Sequence, residues 1–269
     1  MEEPLRYEVL TGLRAGQLHQ LSLRIPGRAG DVARPGGRPA AIGLPRSVAM
    51  AGALMRKNIT QEVAGAIFGV SQATVSRRRD LLRPLIGQAL AELVPHPKEI
   101  AGCGTLLADG TVCPVWDWAA IPGLFSGKAG YAGMNVQTAA TMAGDLAAAG
   151  PVAVPGARHD AHAFAASGLK ELITGMDAAA DPGCTGVDGI AIVPFRTPPG
   201  GRLHESQTGF STGPSKIRAA AERAVAHLKT WRMPSEEGGR FRPPPAKFES
   251  ALKAIIGLFF FSNYYQAFE

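Results

Sequence analysis

Three acidic residues stand where a carboxylate could do chemistry. Asp109 lies in TLLADGT (Thr105–Thr111), Asp181 in AAADPG, and Glu222 in KIRAAAERAVAHLKTWR. The apolar residues before Asp109 read as a short buried strand over Thr105–Asp109 that ends on the acid, and an unpaired carboxylate there is costly to desolvate. Asp-Gly is also a common turn dipeptide, and on this heptapeptide alone a plain turn is the favoured reading of Asp109. Asp181 precedes Pro-Gly at the end of a second expected strand, and a turn again accounts for it. Glu222 falls inside a helical stretch, four residues after Arg218 and seven before Lys229, so the three share a helical face. That pattern also fits a solvated ion pair worth a few tenths of a kcal/mol. Taken together, two strand-end acids and one helical acid make a hard, oxygen-rich site suited to Mg²⁺ or Mn²⁺. Two such ions about 4 Å apart can activate a water or a 3′-hydroxyl and stabilise the leaving oxygen of a phosphodiester.

The elements that must position these acids lie beyond Pro95 and Pro97, where the character of the chain changes. Runs at Thr105–Asp109, Asn135–Met142 and Leu146–Val154 read as strands, with the glycines around Tyr131 and the Gly144-Asp145 pair as turns. A helix is expected over Asp160–Gly175 and a strand before Asp181, although AAADPG is poor in β-branched residues. A Pro/Gly-rich loop over 194–214 leads to a helix over Ser215–Trp231 and a largely buried one over Ala246–Phe268.

Upstream, residues 1–25 carry a weak helical pattern. Residues 26–45 are rich in Gly, Pro and Arg and read as a mobile basic loop. Ser47–Lys57 reads as a helix, Thr60 caps a second, Gly69 ends it, and Ser71 caps a third that Pro84 is expected to break or kink. The stretch NITQEVAGAIFGVSQATVSRRRDLL thus reads as helix-turn-helix, with Gly65 allowing close approach and Val75 filling the space between helices. Ser71, Gln72, Thr74 and Ser76 would reach a major groove, and Arg77, Arg78 and Arg79 the phosphates. An ordinary helical hairpin with a basic face is the other reading.

Composition fits these assignments. The chain has 269 residues, 28 Lys and Arg against 22 acids, and a formal charge of +6, which permits a polyanionic partner such as DNA. No run of 18 apolar residues suggests a membrane span, and the N-terminus lacks a signal-peptide core. Three cysteines without CxxC spacing suggest a reduced, cytoplasmic protein.

Across roughly residues 46–260 the sequence resembles the bacterial insertion-sequence transposases of the DDE class, which join a helix-turn-helix to a DDE superfamily endonuclease domain. The landmarks are NITQE…FGVSQATVSRR, LLADGT, FSGKAGYAGMNVQ, PGARHDAHAF, DPGCTG, VPFRTPPGGRLHESQ and IRAAAERAVAHLKTWR followed by FRPP. The resemblance implies a mixed α/β chain. An N-terminal helical segment and basic loop (1–45) and an all-α helix-turn-helix domain (46–97) would precede a ribonuclease-H-like domain (98–269) with a central mixed sheet flanked by helices. It implies Asp109, Asp181 and Glu222 as catalytic, metal-holding acids, with two Mg²⁺ or Mn²⁺ ions. The expected substrates are double-stranded DNA, as transposon terminal inverted repeats and target DNA. A homo-oligomer acting on nucleoid DNA would carry out the reaction. Lys128, Arg218 and Lys229 would hold DNA, and His159 and Asp160 would support the site, Asp160 as a helix N-cap. The chain departs from the family pattern at Gly183-Cys184, where Gly-Tyr is usual, and at Phe210-Ser211, where Phe-Asn is usual. The alternative implied by those departures is a DNA-binding protein that has lost turnover.

Overall fold

The computed structural model describes residues 7–25, 41–116, 121–181, 184, 186–193, 201–202 and 218–264. Expectations for most of the 26–45 loop, Gly183, most of residues 194–214 and the Phe210-Ser211 pair lie outside them. The chain forms two compact units, Pro95–Lys229 and a second made of Met1–Val94 together with Thr230–Glu269. Residues 230–269 group with the N-terminal helices rather than with the segment before them.

The split unit is helical. It contains α1 (Tyr7–Thr11), α2 (Ala15–Arg24), α3 (Leu44–Lys57), α4 (Gln61–Phe68) and α5 (Gln72–Ala89). Thr60 caps α4 by accepting from Val63 N, and Ser71 caps α5 by accepting from Thr74 N. Gly69 ends α4 in the left-handed region at φ 67°. Gly65 is required by packing, because a Cβ there would lie 2.6 Å from the Val70 carbonyl oxygen. Val75 is fully buried between the helices. Contrary to expectation, α5 runs unbroken through Pro84. Its second half is braced by the last helix of the chain (Phe248–Tyr264). Arg83 Nε donates to Ser250 Oγ at 2.7 Å, Lys247 pairs with Asp80 at 2.5 Å, and Gly87 and Gly257 let the two helices approach closely. That bracing compensates for the proline's missing donor.

The other unit, after α6 (Pro97–Ala101), is built on a mixed sheet flanked by helices. Its strands are β1 (Leu106–Pro114), β2 (Phe125–Ser126), β3 (Tyr131–Ala140), β4 (Leu146–Ala149), β5 (Val154–Pro155) and β6 (Ala178–Ala180). The long β3 pairs antiparallel with β1, β2, β4 and β5, while β1 takes β6 as a parallel partner on its other edge. The chain between Val154 and Ala178 contains α7 (Asp160–Ala166) and α8 (Leu169–Leu172), so the single helix expected over 160–175 is two, divided at Gly168. The core beneath them joins Leu106, Ala108, Ala139, Ala148 and Ala178 to Phe164, Leu169 and Ile173. The strand before Asp181 forms from alanines alone. Its ladder with β1 and the burial of its small side chains override their low strand propensity. A helix over residues 218–229 closes this unit and buries Ala220, Ala221, Ala224, Val225 and Leu228.

Candidate active site

Asp109 is neither a turn residue nor a strand end. β1 continues five residues past it, with Asp109 opposite Thr138 of β3. What ends there is the parallel pairing: Ala108 stands beside Ala180, the last residue of β6. Carried one residue further, that register sets Asp181 beside Asp109, and strand alternation turns both carboxylates to the same face of the sheet. The strand-end geometry expected for Asp109 is therefore supplied by its neighbour. An acid within a strand still reaches solvent because the sheet loses its edge partner at that point.

The helix over 218–229 brings the third acid. Arg218 Nη2 lies 3.3 Å from Asp181 Oδ2, and its Nε lies 3.3 Å from Glu222 Oε1. One guanidinium thus spans an acid after β6 and an acid one helical turn along its own helix. Asp109 is half-buried, and its carboxylate accepts a 2.8 Å bond from the Gly110 amide. Burial first, then the negative charge of Asp181 and more weakly that of Asp160, raise its pKa to about 6 against the opposing pull of the Gly110 bond and Arg218. A carboxyl that is desolvated and repelled by a second acid favours a bound cation. The donors are oxygens, so the pair Asp109 and Asp181 fits a hard divalent ion. Among the described residues no three His, Cys, Asp or Glu side chains are gathered tightly enough to hold one as they stand. Arg218 holds two of the three acids instead.

The other face of β1 carries a second polar constellation. Asn135 and Gln137 of β3 are each only 2% exposed. Gln137 Nε2 donates to Asn135 Oδ1 at 2.8 Å, Asn135 Nδ2 donates to Asp160 Oδ1 at 3.1 Å, and Lys128 Nζ pairs with Asp160 Oδ2 at 3.2 Å. Gly110 makes room for the chain, since a Cβ there would collide with the Gln137 amide. Asp160 is therefore not the helix cap expected of it. His159 occupies the N-cap position without a side-chain bond, and Asp160 is the first residue of α7, with its carboxylate given to Lys128 and Asn135. A cleft of about 540 Å³ opens here, lined by Lys128, Tyr131, Arg158, His159, Asp160 and Lys229 among others. Asn135 and Gln137 were not singled out from sequence. Their only signal was two amides at alternate positions of the buried run NVQTAA.

Cys184 is buried near the acids. Burial first, and then the charges of Asp160, Asp181 and Asp109, push its thiol up to about 11, so it is neutral at physiological pH.

In the helical unit, Ser71 and Gln72 are exposed at the start of α5 and Ser76 and Arg77 follow on the helix. Ser71 and Thr74 share a 3.0 Å side-chain bond, and Gln72 is bonded to Gln61. Arg78 is half-buried. Arg79 differs from the expectation of a free basic triplet, because its guanidinium pairs with Asp80 at 3.2 Å and is 13% exposed.

Residues 110–259 match the family described as DDE superfamily endonuclease, a span that begins one residue after Asp109. The chain is also 26% identical over 232 residues to the "Putative transposase for insertion sequence element IS112" of Streptomyces albus G, covering 86% of each protein. No solved structure matches.

Proposed function

The chain belongs to the DDE superfamily endonucleases, and from that premise we propose that it is an insertion-sequence transposase. In this reading it binds the terminal inverted repeats of its own element, cuts them and joins the freed 3′-ends to target DNA as a homo-oligomer. Asp109 and Asp181 form the principal metal-holding pair and Glu222 is the third acid. Bound Mg²⁺ or Mn²⁺, two ions in all, would activate the attacking hydroxyl and stabilise the leaving oxygen. The chain's own residues orient the DNA: Lys229 and Lys128 grip the backbone beside the acids, and Asp160 with its amide chain aims Lys128. The start of α5, through Ser71, Gln72, Thr74, Ser76, Arg77 and Arg78, recognises the repeats, with Arg79 bracing the helix.

The observation that supports this reading most is the register between β1 and β6, which sets Asp109 beside Asp181, with Arg218 joining Asp181 to Glu222. No helix of the described residues is long and apolar enough to cross a membrane. A second reading, a DNA-binding protein without turnover, draws on Cys184 in place of tyrosine beside the acids. Cleavage of a labelled duplex carrying the terminal repeats, in Mg²⁺ or Mn²⁺, separates the two. The first reading requires cleavage by the native chain and its loss in Asp109→Asn and Glu222→Gln. Tight binding of the repeats without any cleavage supports the second, and cleavage that persists in both variants rejects the assignment of the acids.

A further inference from the structure

Arg218 is placed in the acid site in a way that DNA gripping alone does not explain. Its guanidinium is 3.3 Å from both the Asp181 and the Glu222 carboxylates, and its charge also acts on Asp109. Its Nε and Nη2 each take a different carboxylate, so one guanidinium occupies an oxygen of both acids at once. Consistent with this, no trio of acids among the described residues is close enough to share an ion. The Arg218 side chain is 54% exposed, and exposed pairs of this kind are weak. It is therefore free to leave.

We propose that Arg218 is an exchangeable counter-cation: it holds Asp181 and Glu222 in the metal-free protein and is expelled from them when a divalent ion binds. The proposal rests on these acids being the metal site. The two cations compete because they use the same carboxylate oxygens and repel each other. Once released, the guanidinium stays on the same helix face as Lys229, with donors suited to a phosphate. Metal loading and the grip on DNA are then linked through one side chain, and the linkage is reciprocal.

Calorimetric titration of Mn²⁺ into the DNA-free full chain tests this without any turnover. Arg218→Gln is expected to bind Mn²⁺ about two- to thirtyfold more tightly than the native chain, the range that two exposed ion pairs support. Arg218→Lys, which keeps the charge but cannot span both acids, should fall between them. Unchanged or weaker binding in Arg218→Gln, with Asp181→Asn still abolishing it, overturns the exchange and leaves the acids as the metal site. Mn²⁺ binding that is indifferent to Asp109→Asn and Asp181→Asn overturns the site and the exchange together.

Discussion

Replacing Asp109 by asparagine should make the protein more stable at neutral pH while removing its activity. The Asp109 carboxyl titrates near 6 in the folded protein, against 3.8 for the free group, because it is desolvated and faces Asp181. Its ionisation therefore opposes folding. The penalty is absent below about pH 4, grows as the pH rises through about 6, and is complete above it. A rise from 3.8 to about 6 corresponds to roughly 3 kcal/mol at 1.36 kcal/mol per pH unit. Asparagine keeps an oxygen that can accept from the Gly110 amide and offers its new donor toward Asp181. Asp109→Asn should thus gain up to about 3 kcal/mol at pH 8 and nothing near pH 4. Native-state hydrogen exchange at the β1 amides of Leu107 and Val112, followed from about pH 4.5 to 8, reads the unit that contains the acid. A gain of equal size at both ends of that range, or a loss of stability at pH 8, would refute the electrostatic argument. Mg²⁺ should narrow the gap by stabilising the native chain more than the variant.

Other expectations follow from single contacts. Gly65→Ala drives a methyl against the Val70 carbonyl, so chemical denaturation of the helical unit should show a loss of about 1–3 kcal/mol, with terminal-repeat binding falling alongside. Phe261→Ala empties a fully buried position in the last helix and should cost about 3–5 kcal/mol in the same assay, weakening DNA binding although Phe261 lies far from α5 in sequence. Lys128→Ala should weaken binding to all duplexes alike and lower the salt-dependence slope by about one, measured by fluorescence anisotropy. In thiol labelling, Cys103 is exposed and should react first. Cys113 and Cys184 are buried, with thiols pushed up to about 12 and about 11, and should react only once the chain is unfolded.

Local chemistry was legible in the sequence wherever one residue type answers one geometric need. Thr60 and Ser71 are the caps their types suggest, and Gly65 and Gly69 sit at a close approach and a left-handed turn. What escaped was set by distant parts of the chain. Pro84 reads as a helix breaker until Lys247 and Ser250, more than 160 residues away, brace the helix around it. Asp109-Gly110 reads as a turn because nothing local announces that β3 pairs straight past it. Asp160 suits a cap by type, but the Asn135 amide and Lys128 claim its carboxylate. Arg218 and Glu222 were visible as an i,i+4 pair. That Asp181 shares the same guanidinium follows only from the β1–β6 register.

Crystals of the full chain grown with Mn²⁺ would test the central claim most directly, through the manganese anomalous signal. The account places an anomalous peak within coordination distance of both the Asp109 and Asp181 carboxylates, with the Arg218 guanidinium turned away from Asp181. A bound Mn²⁺ that contacts neither Asp109 nor Asp181 would contradict it.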